Sequence, residues 1–254
     1  MKNIIFRAGL LFFILLTYGC SNSDEQNEIQ QLDCLPTGLQ NGVVAFYPFN
    51  SGSINDESGN NNNLANTTTA SATIDRNGNT NCAYQFNSTN NEFLTLSNPT
   101  FLNDIQSGGF SISMWYLSEN EGAGLMSRGN DFGNCAGGIG EWNLSLWDNN
   151  WPVFFINSYR SIGVTPNPEI VQLNEWHHLV VTSDITDLKI YQDGILIEDN
   201  ENVICNSGPT PSLNMGDLFI GEFLSGKLDD IIIYNILLTQ TEITELYNLT
   251  PCCS

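Results

Sequence analysis

Short segments rich in aromatic and β-branched residues recur along this chain of 254 residues, and stretches rich in Asn, Gly, Asp or Ser separate them. Segments of the first kind favour strands, and the separators favour tight turns. The alternation is sharpest at 110–117, where Phe110, Ile112, Met114 and Tyr116 are predicted to face a core. The pattern predicts an all-β fold, a two-sheet antiparallel sandwich. The predicted strands are 43–49, 93–96, 110–117, 142–147, 153–157, 176–183, 188–192, 195–198, 218–221 and 227–234.

Two local motifs refine this prediction. Asp193 and Gly194 form a dipeptide that accepts the positive φ angles of a type I′ turn, so a hairpin is expected between 188–192 and 195–198. Thr239 and Glu242 have the spacing of a capping box ahead of an apolar run. The chain is therefore expected to contain one short helix near its C-terminus, at 239–248.

The first residues read as a targeting segment. Two basic residues precede an apolar run at 8–16, which is too short to span a bilayer, and Cys20 follows Gly19. This arrangement resembles a bacterial lipoprotein signal, so we predict a signal peptide at 1–19 and lipidation of Cys20. The alternative is an ordinary secretory signal with a coincidental cysteine.

The stretch at 20–32 is polar and acidic and is predicted to be a flexible tether. It is similar to the signals that send lipoproteins of Bacteroidetes-type bacteria to the outer face of the outer membrane. We therefore expect export and lipid anchoring to the outer membrane, with the protein exposed at the cell surface. Residues 33–254 show no linker or break in composition, which predicts a single domain.

An even number of cysteines remains once Cys20 is set aside, which suits three disulfides in an oxidising compartment. Terminal strands of a sandwich commonly lie side by side, so a bridge is expected between Cys34 and one of the two cysteines at the C-terminus. Cys135 and Cys205, which lie in Gly- and Asn-rich segments, are expected to pair with each other. Cys82 would then pair with the other C-terminal cysteine. Zinc binding is the alternative, but no Cys-x-x-Cys spacing occurs. The six are Cys34, Cys82, Cys135, Cys205, Cys252 and Cys253.

The charge excludes one class of partner. Seven Lys and Arg face 28 Asp and Glu, for a formal net charge of -21. A nucleic-acid binder needs clustered basic residues to neutralise phosphates, and this chain has too few. Such a surface instead attracts cations, Ca²⁺ among them.

Seven segments in order resemble the laminin-G-like, concanavalin A-like lectin/glucanase domains of bacterial surface proteins. The resemblance covers nearly the whole domain and implies a jelly-roll sandwich that binds glycans or proteins, often with a structural Ca²⁺. The segments are GVVAFYPFN at 42–50, NDESGN at 55–60, AYQFN at 83–87, FSISMW at 110–115, EWHHLVVT at 175–182, IYQDG at 190–194 and GKLDDIIIYN at 226–235.

The resemblance also implies ligands for calcium. Asp56, Asp229 and Asp230 match positions that hold the ion in similar domains, and Asn50 or Asn63 could add an amide oxygen. Neighbouring strand residues point to opposite faces, so only one of Asp229 and Asp230 is expected to serve a given ion. The alternative is that Asp56 organises a turn and Asp230 is solvated.

A ligand site is predicted near a loop tip. Trp147 and Trp151 flank that tip, and aromatic faces at such places suit sugar rings, whose hydroxyls Asp148 and Asn149 would bind. Tyr159, Arg160 and Arg128 are expected nearby. The alternative is that the two tryptophans form a cross-strand pair that stabilises a hairpin.

No catalytic residue is predicted. Glucanases of this fold use paired carboxylates in a Glu-x-Asp-x-x-Glu arrangement, which this sequence lacks, and Glu198, Asp199 and Glu201 straddle a predicted loop. His177 and His178 are adjacent in a strand and should face opposite ways. The resulting hypothesis is a surface lipoprotein with a non-catalytic carbohydrate-binding or adhesion domain, whose partner is a glycan or an extracellular protein. The alternatives are a glycoside hydrolase or polysaccharide lyase of the same fold, and a structural surface protein without a small ligand.

Overall fold

Two antiparallel sheets pack face to face in the computed structural model, which describes residues 32, 34–103, 108–129, 142–147, 150–156, 160–163, 172–184, 187–199, 203–204 and 216–253. Residues Gln31–Ser254 form one compact unit. The strands are β1 Val43–Tyr47, β2 Ser71–Thr73, β3 Ala83–Phe86, β4 Leu94–Leu96, β5 Phe110–Ser118, β6 Ala123–Arg128, β7 Trp142–Trp147, β8 Trp151–Ile156, β9 Arg160–Gly163, β10 Trp176–Ser183, β11 Leu188–Gln192, β12 Ile195–Glu198, β13 Val203–Ile204, β14 Leu218–Ile220 and β15 Gly226–Tyr234. The helix, α1, is Gln240–Asn248.

The strand order shows how distant segments meet. Sheet A has the order β12-β11-β10-β5-β15-β3-β2, and β1 also pairs with β15. Sheet B has the order β13-β9-β8-β7-β6-β14-β4. Two sheets packed in this way, with one helix, confirm the predicted jelly-roll sandwich.

The main hydrophobic core lies between the sheets. Strand β5 alternates as predicted, and Phe110, Ile112, Met114 and Tyr116 are all buried in that core. In sheet B, strand β7 alternates in the same way, and Trp142, Leu144 and Leu146 line that core from the other side. The two-residue period of the sequence therefore identified the inner face of the central strand.

A second hydrophobic layer covers the outer face of sheet A. Helix α1 contributes Ile243 and Leu246, and the segment before β1 contributes Leu35 and Leu39. The helix begins after Thr239, whose side chain accepts a hydrogen bond from the Glu242 N–H, which confirms the predicted capping box. No described helix is long and apolar enough to cross a bilayer.

Two disulfides fasten the segment after α1 to distant parts of the chain. Cys34 is bonded to Cys252, and Cys82 is bonded to Cys253. Both match the expected arrangement, in which one terminal cysteine takes Cys34 and the other takes Cys82. Cys135, Cys205 and Cys20 lie outside the described residues, as do the signal peptide at 1–19 and all of the tether except Leu32. The predictions about them stay predictions.

Each of the ten predicted strands is present, and the described residues contain five more. Strand β6 has the sequence Ala-Gly-Leu-Met-Ser-Arg, which contains no aromatic or β-branched residue and so gave no strand signal. It is a strand despite its composition because its backbone pairs with β7 on one side and with β14 on the other. The strands not predicted are β2, β3, β6, β9 and β13.

Candidate functional site

An aromatic patch at one end of sheet B is the most open apolar feature of that sheet among the described residues. The side chain of Trp147, the last residue of β7, is 50% exposed, and its ring lies 5.4 Å from that of Phe155 in β8. Residues two apart on a strand share a face. We therefore define the Trp147 face as Asn143, Ser145 and Trp147 of β7 with Val153 and Phe155 of β8.

Polar groups accompany the indole on this face. Ser145 Oγ donates a hydrogen bond to Asn143 Oδ1 over 3.2 Å, and both side chains are buried behind Trp147. Ser145 pairs with Val153 across the strands, and Asn143 pairs with Phe155. The face thus presents one open indole, and the hydroxyl and the amide on the same face are buried and bonded to each other.

The second predicted tryptophan has a different role. Trp151 pairs with Trp147 across the β7–β8 hairpin, but it is half-buried and packs against the core between the sheets. The expected pair of open rings is therefore wrong in its second member. Phe155 is the aromatic partner that sequence reasoning missed, although the alternation of 153–156 would have placed it beside Val153.

The other residues predicted for the ligand fall into two groups. Asp148, Asn149 and Tyr159 lie outside the described residues, and their role stays a prediction. Arg160 begins β9 and pairs with Ile156. That position is five residues along β8 from Trp151, or about 16 Å at the rise of a strand. The register therefore separates the backbone of Arg160 from the Trp147 end.

Arg128 is also unavailable to a ligand at that tip. Its side chain is buried, and its Nη1 donates to the Leu102 carbonyl over 2.8 Å. Its Nη2 donates to Asn103 Oδ1 over 2.8 Å. Arg128 therefore fastens the segment after β4 to sheet B.

Asp229 and Asp230 lie where β15 bulges. Between Asp229 and Ile232 the register with β5 shifts, and Asp230 has a φ of 43°. The bulge breaks the expected alternation, so both carboxylates reach one atom, Arg76 Nη1, at 2.7 Å and 2.8 Å. The expectation that the two side chains would point to opposite faces is therefore wrong.

Arg76 connects several elements at this point. Its guanidinium lies 4.4 Å from the centre of the Trp115 ring, and its Nη2 donates to the Leu249 carbonyl after α1 over 3.3 Å. Asp230 accepts a hydrogen bond from the Cys252 N–H. No pattern in the sequence indicates this role, because Arg76 is 153 residues from Asp229.

The charges of this cluster do not balance. Two carboxylates face a single guanidinium, and all three side chains are at most 9% exposed. Burial and the neighbouring Asp230 carboxylate raise the pKa of Asp229, against the opposing effect of Arg76. Burial likewise raises the pKa of Asp230. The pair therefore holds protons more tightly than carboxylates in water do.

Asp56 organises a turn instead of presenting free oxygens. Its Oδ1 accepts hydrogen bonds from the Phe46 and Ser58 N–H groups, each over 2.9 Å. Its Oδ2 accepts from Ser58 Oγ and from the Asn62 N–H. Its own N–H donates to Asn63 Oδ1 over 2.8 Å. This bonding agrees with the turn-forming alternative for Asp56.

The residues predicted for calcium do not form one ligand set in the described part of the chain. The carboxylate oxygens of Asp56 already accept four hydrogen bonds, and Arg76 binds Asp229 and Asp230. Asn50 lies in the short helical turn Asn50–Gly52 after β1. No three His, Cys, Asp or Glu side chains of the described residues lie close enough together to hold an ion. Calcium binding stays a prediction from the resemblance alone.

The two histidines face opposite sides of sheet A, as expected. His177 Nδ1 lies 2.9 Å from Asp193 Oδ2 in the β11–β12 hairpin, and its ring contacts Tyr116 on the core side. His178 Nε2 lies 2.9 Å from Ser113 Oγ, beneath α1. Both side chains are buried.

Comparisons with known proteins place this geometry in a family. The model of the concanavalin A-like lectin/glucanases superfamily matches residues 87–244, which is more than half of the chain. A search of curated proteins gives no significant match.

Solved structures share the fold at low sequence identity. The binding domain of botulinum neurotoxin DC in complex with rat synaptotagmin II has a TM-score of 0.62 at 16% identity, and covers 83% of this chain and 52% of its own. A second structure comes from work on botulinum neurotoxin type C, whose cell entry depends on interaction with two ganglioside molecules. It has the same TM-score, identity and coverage. Domain 4 of AbnA, a GH43 extracellular arabinanase from Geobacillus stearothermophilus, in complex with arabinotriose, has a TM-score of 0.58 at 18% identity. That match covers 81% of this chain and 98% of the arabinanase domain.

This chain spans about half the length of the toxin chains, 52%, so the likeness to them concerns only part of each. At these identities the likeness shows the shared fold. The match of the superfamily model over 87–244 establishes the family, and the ordered strands and the inner core agree with it. The chain belongs to the concanavalin A-like lectin/glucanases superfamily.

Proposed function

We propose that this protein is a non-catalytic carbohydrate-binding protein of the cell surface, and that the Trp147 face holds the glycan. The observation that carries the proposal is the half-exposed indole of Trp147 at the end of β7. Large aromatic side chains usually bury most of their surface, so an open indole beside polar groups marks a place where a partner packs.

The chemistry of the face suits a sugar ring. The C–H groups on one side of a pyranose or furanose pack on an aromatic face, while hydroxyls need donors and acceptors at the rim. Trp147 supplies the flat apolar surface. Ser145 and Asn143 are buried and bonded to each other, so the groups that would bind the hydroxyls are expected from Asp148 and Asn149, which follow Trp147 in the sequence. The fold shared with an arabinanase domain that was solved with arabinotriose supports the choice of a glycan.

The clustered carboxylates Asp229 and Asp230 and the pair Glu198 and Asp199 do not suit hydrolysis. A retaining or inverting glycosidase needs two carboxyl groups on either side of a bond in an accessible cleft. Asp229 and Asp230 are close together, but they are buried under α1 and bound to Arg76. Glu198 ends β12 at the edge of sheet A, and Asp199 follows it on the surface. We therefore favour binding over catalysis.

The proposal includes a membrane anchor. The basic and apolar zones before Cys20 and the acidic stretch after it support lipidation of that cysteine and display on the outer membrane. Metabolic labelling with a fatty acid tests this step. We expect the label on the wild type and none on a Cys20→Ser variant; labelling of both would contradict the anchor.

The binding proposal is tested by a glycan array followed by titration of the best ligand. Trp147→Ala is expected to weaken binding at least about tenfold, because truncating an aromatic anchor commonly costs 2 kcal/mol or more. The free energy of unfolding should fall by only about 1 kcal/mol, since the ring is half-exposed and its described aromatic contact is with Phe155.

Two variants make this test specific. Trp147→Phe keeps an aromatic face and should retain part of the affinity. Ile195→Ala removes an exposed apolar side chain from the edge strand β12 of sheet A and should leave the affinity unchanged. A blank array, or equal affinity in the wild type and Trp147→Ala, would overturn the assignment of the face.

A further inference from the structure

We propose that the Trp147 face selects uncharged glycans and discriminates against glycans that carry carboxylate or sulfate groups. This inference rests on the proposed function and adds the chemical class of its ligand. Acidic sugars are usually recognised through arginine or lysine, which pair with their anionic groups. Whether the Trp147 face can bind an acidic glycan therefore depends on where the basic residues of this chain lie.

Two of the arginines are already committed inside the fold. Arg76 is bound by Asp229 and Asp230 beneath α1. Arg128 donates to the Leu102 carbonyl and to Asn103. Neither guanidinium can turn toward a ligand without leaving buried oxygens unpaired, which is costly.

The remaining basic residues of the domain do not belong to the Trp147 face: the neighbours of Lys189 and Lys227 along their strands face the core, so alternation directs both lysines to the outer side of sheet A, away from sheet B. Lys189 pairs with Thr182, and Lys227 pairs with Gln85, so both belong to sheet A. Arg160 starts β9 opposite Ile156, at the other end of β8 from Trp151. The seven basic residues of the sequence are these five with Lys2 and Arg7 of the predicted signal peptide.

Acidic residues, in contrast, lie near the indole. Ala123 pairs with Leu146, so the exposed Glu121, two residues earlier, lies near the Trp147 end of β7. Asp148 follows Trp147 directly in the sequence. The whole chain carries a formal net charge of -21. A carboxylated or sulfated sugar would therefore approach negative potential, with no basic side chain among the described residues of the Trp147 face to offset it.

The experiment compares matched oligosaccharides on the full chain. One pair is a galactose-terminated oligosaccharide and its sialylated form; a second pair is a xylo-oligosaccharide with and without glucuronic acid. In at least one pair the neutral member should bind about fivefold or more tightly than the acidic member, the effect of one like-charge contact near 4 Å in water. The ratio should shrink between 50 mM and 1 M NaCl, because salt screens the repulsion.

A matched pair of variants locates the effect. Glu121→Gln should narrow the neutral-to-acidic ratio, and Glu245→Gln, on the exposed side of α1, should leave the ratio unchanged. Acidic members that bind as tightly as the neutral ones, or more tightly, would overturn the inference and leave the proposed function standing. If neither member of any pair binds and the wider array is also blank, the proposed function itself fails.

Discussion

Arg76→Ala is expected to lower the free energy of unfolding by about 3 to 5 kcal/mol, because it leaves two buried carboxylates without their counter-charge. The loss is large since both Asp229 and Asp230 bind the same Nη1 atom and their side chains are at most 9% exposed. The variant also loses the contact with the Trp115 ring and the hydrogen bond to the Leu249 carbonyl. Urea unfolding at neutral pH measures the difference.

Two further variants distinguish the charge effect from simple loss of packing. Lys189→Ala removes a half-buried cation from the same sheet and should cost less than about 1 kcal/mol. Adding Asp229→Asn and Asp230→Asn to Arg76→Ala removes the unpaired charges and should restore a good part of the stability. A loss below about 1 kcal/mol for Arg76→Ala would mean that water reaches the carboxylates.

The sequence predicted those parts of the fold that depend on local pattern. Strand β5 was recognised from strict alternation, and helix α1 was recognised from Thr239 and Glu242. The turn at Asp193 and Gly194 has the expected positive φ angles of 51° and 77°. In each case the physical cause lies within a few neighbouring residues, so a single sequence contains it.

The two disulfides join distant residues and were predicted, but other features that depend on distant residues could not be. The bulge at Asp229 and Asp230 forms where β15 exchanges β3 for β1 as its neighbour, which is a property of the sheet. Arg76, which lies between β2 and β3, reaches that bulge although it is 153 residues from Asp229 in the sequence. Its guanidinium lies beside both carboxylates, a contact that the calcium prediction for the pair did not include.

The candidate site was predicted in part for the same reason. Trp147 at a hairpin tip could be recognised from its Asp and Asn neighbours in the sequence. The separation of Arg160 from that tip could not, because it follows from the register of β8 with β9. The half-burial of Trp151 could not be predicted either, because the hairpin pattern does not say which of its two tryptophans packs inward.

His178 should make the protein less stable in acid. Its ring is buried beneath α1, with Nε2 2.9 Å from Ser113 Oγ and the Trp115 ring 5.2 Å away. Burial, together with the nearby positive charge of Arg76, lowers the pKa of His178 from 6.5 to about 3, against the opposing effect of Asp193. The folded protein therefore keeps this ring neutral over a range in which the unfolded chain protonates it.

The sign of the effect follows from proton counts. Between pH 6.5 and about 3 the unfolded state binds one more proton at this residue, so stability falls as the pH falls. The contribution is complete above pH 6.5, and roughly 4 to 5 kcal/mol is lost across the window at 1.36 kcal/mol per pKa unit. Asp229 and Asp230 act in the opposite sense. Their raised pKa values give stability that is present below about 3.8 and is lost as the pH rises through the folded values.

His178→Asn separates these opposing contributions, because it removes the titrating ring and keeps a polar partner for Ser113. The stability difference between wild type and His178→Asn should therefore shrink steadily as the pH falls from 7 to 4, by up to about 1.4 kcal/mol per pH unit. Ser113→Ala is the control: it removes the same hydrogen bond but keeps the buried ring, so it should lower stability by about 1 kcal/mol without changing the slope. Urea unfolding at pH 4, 5, 6 and 7 gives each curve. If the curves of wild type and His178→Asn run parallel across this range, His178 titrates as a solvated side chain, and its proposed neutral state under α1 is wrong.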